Sequence, residues 1–148
     1  MAGTTYDMTK DPKIQRFGTI NPGINVIKIR IDFTKTPVAA ADDNWKIFEL
    51  KEEWILIGGW TRNVSVSSSA ATVDIGTAED GTQLDTAVDI STALTLWTAM
   101  DTMVVETEII MSADAYIWLD FNGAAVTDGD LEIMLLILVE PGNDQGIY

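Results

Sequence analysis

The 148-residue chain contains no cysteine and no histidine. Together these absences exclude disulfides, thiol chemistry, Ser-His-Asp and Cys-His nucleophile systems and the commonest zinc ligands. Any catalysis must rest on carboxylates, Lys or Tyr, and stability must come from packing or association. Basic residues are the next scarcity, with nine Lys and Arg against 23 Asp and Glu and a net charge of −14. All nine lie within residues 1–62, where they face eight acidic residues, whereas 63–148 carries 15 acidic residues and no base. Nucleic-acid affinity depends on cations that neutralise phosphates, so no nucleic-acid partner is expected. Long apolar runs are also missing. The run that ends at Val139 is far short of the roughly 20 residues of a membrane helix. The opening MAGTTYDMTKDPK has no apolar signal-peptide centre. The expectation is a soluble protein made in the cytoplasm, with no membrane partner and no cofactor.

What is present is a chain that is 47% hydrophobic, enough for one domain with a real core. Residues 1–23 mix Gly, Thr, Asp, Lys and Pro without a period and end in the turn Asn21-Pro22-Gly23, which predicts an extended N-terminal arm. Residues 24–148 form the body. There the dominant period is two: Ile27, Ile29, Ile31 and Phe33 alternate with Lys28, Arg30 and Asp32, a strand with one buried face. Val105, Thr107, Ile109 and Met111 alternate with Glu106 and Glu108. Further strands are predicted near 45–50, 54–66, 72–75, 87–90, 115–121 and 130–140. About eight strands divided by Gly, Asp, Asn, Ser and Thr clusters predict an all-β fold, an antiparallel β-sandwich or jelly roll. Gly58-Gly59 inside a long apolar strand predicts a bulge or bend where that strand passes from one sheet to the other.

The last strand has two apolar rows, Leu131, Ile133, Leu135, Ile137 and Val139 on one face and Met134, Leu136 and Leu138 on the other. The second row needs cover, from the chain's own arm or loops or from a subunit interface that Tyr116 and Trp118 join as part of the same patch. In the arm, Lys10, Lys13 and Arg16 are either solubilising charges or docking residues. Asp74, Glu79, Asp80, Asp85 and Asp89 are crowded, but their spacing fails the calcium-loop pattern, and a solvated acidic loop is the expectation. Glu106 and Glu108 are the one carboxylate pair suited to glycoside hydrolysis, yet a solvent-facing strand side already explains them. Trp54, Trp60, Trp97 and Trp118 offer flat faces for a sugar, although tryptophans of a small β domain usually serve core or interface. Gly76 to Gly81 reads GTAEDG, with no Lys, and is not a phosphate loop.

The run Thr72-Val73-Asp74-Ile75-Gly76-Thr77, then Leu84-Asp85 and Val88-Asp89-Ile90, resembles a segment of small virion structural proteins of tailed bacteriophages, where a short strand ending in Asp-x-Gly leads into a surface loop. Met111-Ser112-Ala113-Asp114-Ala115-Tyr116-Ile117, Gly123-Ala124-Ala125 and the closing strand to Val139 are similar to the same proteins. The resemblance spans about residues 43–140. It departs at 112–115, which lacks a glycine often found there, and in the basic arm, which has no counterpart. The resemblance implies a β-sandwich without enzymatic activity, a capsid decoration or cement protein on the outer face of the head. Implied with it are a homotrimer, the major capsid protein as partner and a place in the virion on the outer capsid surface. The alternative is a head fibre, spike or tail-associated module that binds a host receptor or glycan. In the first reading Lys10, Lys13 and Arg16 reach onto neighbouring capsid subunits.

Overall fold

The computed structural model of the chain describes residues 3–92, 96–101, 109–111 and 113–140. Its strands are β1 (Thr5–Asp7), β2 (Gln15–Phe17), β3 (Gly23–Asp32), β4 (Asn44–Leu50), β5 (Ile55–Ser65), β6 (Thr72–Gly76), β7 (Asp85–Asp89), β8 (Thr98–Ala99), β9 (Ile109–Ile110), β10 (Ala115–Asn122) and β11 (Asp130–Val139). The first sheet has the order β1-β4-β10-β6-β7, and the second β2-β3-β11-β5-β8 with β9 also paired to β5. Only β1 and β4 run parallel; every other pairing is antiparallel. The fold is all-β, two sheets face to face, as the strand pattern predicts. The three strands beyond the expected eight, β1, β2 and β8, are short edge pieces of two or three residues.

Strict alternation builds the core. Ile27, Ile29 and Ile31 of β3 and the odd-numbered residues of β11 from Leu131 to Val139 are buried, as are Ile117, Leu119 and Phe121 of β10. Each such side chain contributes about 1.5–3 kcal/mol when fully buried. Where the sheets converge, Phe121 meets Trp45 edge-on with centroids 4.9 Å apart and Phe33 at 5.8 Å.

The glycine pair in β5 acts differently from the sequence expectation. β5 stays in the second sheet along its whole length, paired to β11, and the register slips at Ile57, between the Leu136–Gly58 and Ile137–Leu56 pairs. A Cβ on Gly58 would lie 2.5 Å from the Trp60 ring, and one on Gly59 would lie 2.5 Å from the Met100 sulfur. The glycines therefore admit one large side chain on each face of the sheet, and no change of sheet occurs. The expected strand around Val105 lies almost wholly outside the described residues, which include only Ile109–Ile110 of it as β9.

The arm belongs to the same two-sheet unit. β1 extends the first sheet at β4, β2 extends the second at β3, and Ile14 between them is buried in the core. Residues 8–14 thus cross one open side of the sandwich. Asp43 anchors the entry to β1, its buried carboxylate accepting hydrogen bonds from the N–H of Thr4 at 2.9 Å and of Ala40 at 3.1 Å.

Candidate docking surfaces

The three arm cations separate into two kinds. Lys10 and Lys13 are exposed. Arg16 points inward and is consumed by the fold: Nε donates to the Ile47 carbonyl at 3.0 Å, and Nη1 to those of Asp11 at 3.2 Å and Ile14 at 3.1 Å. Nη2 donates to the Met8 carbonyl. Desolvation lowers the Arg16 pKa from its ordinary value, against the pull of Asp11. A planar fork with several donors suits such a carbonyl cage.

Tyr116 and Trp118 alternate with the buried face of β10 and so stand on the outer face of the first sheet. The Lys46 ammonium lies 4.5 Å from the Tyr116 ring centroid and 5.7 Å from that of Trp118, a cation–π pairing. Met134, Leu136 and Leu138 are half-buried on the outer face of the second sheet. The two sets belong to different sheets and do not form the single patch that the sequence suggests.

Around Met134, Leu136 and Leu138 the second sheet gathers an apolar surface. Register places Lys28 and Trp60 beside Met134, Val26 and Gly58 beside Leu136, and Ile24 and Ile55 beside Leu138. Ile24 is 68% exposed, Val26 54%, Phe17 46% and Ile110 59%. Toward the other end of the same strands the face becomes charged. Glu132, 1% exposed, is held by Arg62 at 3.0 Å and Lys28 at 3.2 Å, and Arg30 pairs with Asp130 at 2.5 Å. Arg62 also stacks over Trp97 at 4.6 Å. The sequence reading missed Phe17, Ile24 and Val26. The available signal was that Ile24 and Val26 occupy the side of β3 on which Lys28, Arg30 and Asp32 make the other positions polar.

The four tryptophans proposed as a sugar platform do not share a face: Trp54 is buried and Trp118 stands on the other sheet. Glu106 and Glu108 lie outside the described residues. The acidic residues are spent locally. Asp74 accepts from the Ala87 N–H at 2.7 Å and the Asn122 amide at 2.9 Å, and Asp89 from Ser91 and Thr92. Asp80 accepts from Asn44 at 2.9 Å, and Glu79 from Thr5. No group of three or more potential ligands able to hold a metal ion occurs among the described residues. Asp85 and Asp120 carry the electrostatic strain. Burial first, then a hydrogen bond with Asp101, pushes Asp85 up to about 6. Burial, then Asp80, Asp74 and Asp42, pushes Asp120 up to about 6.

No known protein family and no curated protein matches the chain by sequence. By structure it is similar to a chain in the capsid of Ralstonia phage GP4, at 9% identity and a TM-score of 0.61, over 95% of this chain and 100% of that one. It is also similar to a chain in the capsid asymmetric unit of cyanophage Pam1, at 15% identity and a TM-score of 0.57, over 87% and 95% of the two chains. At these identities the likeness is one of fold, and this chain therefore shares its two-sheet fold, nearly end to end, with chains of phage capsids.

Proposed function

We propose that the protein is a non-enzymatic structural component of a tailed-phage virion, a decoration (cement) protein that binds the major capsid protein on the outer face of the head. The observation that carries this reading is the fold likeness to a whole chain of the Ralstonia phage GP4 capsid, with no part of that chain left over. The charge supports an outer position, since a chain of net charge −14 is repelled by packaged genome. Exposed Ile24, Val26 and Phe17, continuous with Met134, Leu136 and Leu138, exceed what a lone soluble sandwich needs, and in this reading they form the subunit interface of a homotrimer. Tyr116 and Trp118 make a second, separate contact. Lys10 and Lys13 dock the arm on capsid subunits, while Arg16 holds the arm in shape for that contact. Many weak contacts repeated over the shell lattice hold tightly by multivalency.

The test is to add purified protein to heads that lack it. Saturable binding that protects the shell against heat supports the proposal; absence of binding at micromolar protein refutes it. Replacing Lys10 and Lys13 by Glu is expected to lower occupancy without changing the fold.

A further inference from the structure

Two hollows meet at Lys13. One, of about 260 Å³, is lined by Lys13, Gln15, Arg30, Asp32 and Lys35. The other, of about 240 Å³, is lined by Lys13 and, among others, Tyr6, Met8, Thr36, Pro37 and Trp45. Each is below the size of ordinary small-molecule sites, about 300–1,000 Å³, and suits a single side chain.

The first hollow is polar and holds uncompensated positive charge. Its Arg30 is neutralised by Asp130. Asp32 spends one oxygen on the N–H and hydroxyl of Thr34, at 3.0 and 2.6 Å, and its other oxygen is 3.9 Å from Lys35. Lys13 has no ion-pair partner among the described residues. In a chain of net charge −14, two weakly compensated ammonium groups at one hollow form a local reversal of sign. The second hollow has mostly apolar walls, together with Asp11, whose carboxylate is already engaged by the Lys13 N–H at 2.9 Å, and one unmet polar group. Thr36 is 4% exposed and its Oγ1 has no hydrogen-bond partner among the described residues, a state that is unfavourable until a partner arrives.

We propose that the two hollows are one docking site for an extended peptide segment of a neighbouring virion protein. An apolar side chain of the segment enters between Tyr6, Met8, Pro37 and Trp45 and brings a polar backbone group to Thr36. A carboxylate one to three residues away lies on Lys13 and Lys35. This deepens the docking role given to the arm and rests on that reading. A free anion fits the first hollow alone, and a polyanion such as nucleic acid meets repulsion from the rest of the surface.

The experiment is a titration of the isotope-labelled full chain, followed through its backbone amide resonances. The probes are blocked peptides that carry one Leu and, one to three residues away, either Glu or Lys, with inorganic phosphate as a separate probe. The Glu peptides are expected to shift Lys13, Lys35 and Thr36 together. Lys13→Glu and Lys35→Glu should each weaken them about fivefold or more, with the remaining resonances confirming the fold. Failure of every Glu peptide at millimolar concentration, equal binding of the Lys peptides, phosphate shifting both hollows as strongly, or unchanged affinity in both variants overturns the site. Binding to heads with no peptide binding overturns this inference alone and leaves the decoration role standing.

Discussion

Arg16 Nε donates to the carbonyl of Ile47 at 3.0 Å, joining a strand of the second sheet to one of the first. Ile47 is the residue that the β4–β10 register steps over, since Phe48 pairs with Ile117 and Lys46 with Trp118. A bulge leaves one residue outside regular pairing, and here its carbonyl is taken by the arm. The irregularity in one sheet is thus the attachment point for the segment that closes the side of the sandwich.

Arg16→Ala removes hydrogen bonds to four backbone carbonyls in one step. The expected loss is about 2–3 kcal/mol, or a fall in Tm of roughly 4–10 °C, measured by thermal denaturation. Arg16→Lys is expected to recover little, because one ammonium cannot reproduce the planar fork. In both variants proteolysis at 8–14 should accelerate before the body unfolds.

These contacts mark where sequence reading stops. β3 and β11 are legible because period-two patterning over ten residues leaves one assignment of faces. β1 and β2 are not, since three residues have no period and are held by pairing with β4 and β3, 39 or fewer residues away. The same limit separates Tyr116 and Trp118 from Met134, Leu136 and Leu138. Apolar outward rows are visible in the chain, but which sheet each row joins depends on non-local pairing. Lys13 and Arg16 look alike as arm cations, and only the folded carbonyl cage of Met8, Asp11, Ile14 and Ile47 makes one of them structural.

The Glu132 cluster predicts an asymmetry between its members. Glu132 is buried, whereas the side chains of Lys28 and Arg62 are 38% and 32% exposed. Glu132→Gln releases two cations that water can solvate, at an expected cost of about 1 kcal/mol. The double change Lys28→Ala with Arg62→Ala strands a buried carboxylate, at an expected cost of about 3 kcal/mol. Chemical denaturation of the two variants measures the difference.

The acid dependence of stability follows from two opposing sets of carboxyls. Asp85 and Asp120 sit at about 6 in the fold against an ordinary 3.8. The folded state therefore binds their protons more tightly, and their stabilisation is complete below 3.8 and lost as pH rises through about 6. Asp7, Asp32, Asp89 and Asp128 are held below the ordinary value chiefly by hydrogen bonds from Thr9, Thr34, Ser91 and Ser68. Their contribution is present above 3.8 and lost as pH falls through their folded values. Thermal stability is expected to rise as pH drops from about 7.5 to about 5, then to decline below about 4. Asp85→Asn with Asp120→Asn should flatten the rise and leave the decline.

For the apolar face, Ile24→Lys with Val26→Lys changes side chains that are already largely exposed, so the intrinsic stability of the subunit should move by no more than about 0.5 kcal/mol each. Light scattering is expected to report a trimer for the parent chain and the 16.2 kDa monomer for the variant. A parent chain that is monomeric at all working concentrations removes the interface assigned to Met134, Leu136 and Leu138.

The most direct measurement is an electron cryomicroscopy map of the intact virion. The decoration reading predicts that this two-sheet fold occupies density on the outer surface of the head, in trimers, with Lys10 and Lys13 turned toward capsid subunits. Density for this fold confined to the tail or to the inner face of the shell, or its absence from purified particles, contradicts it.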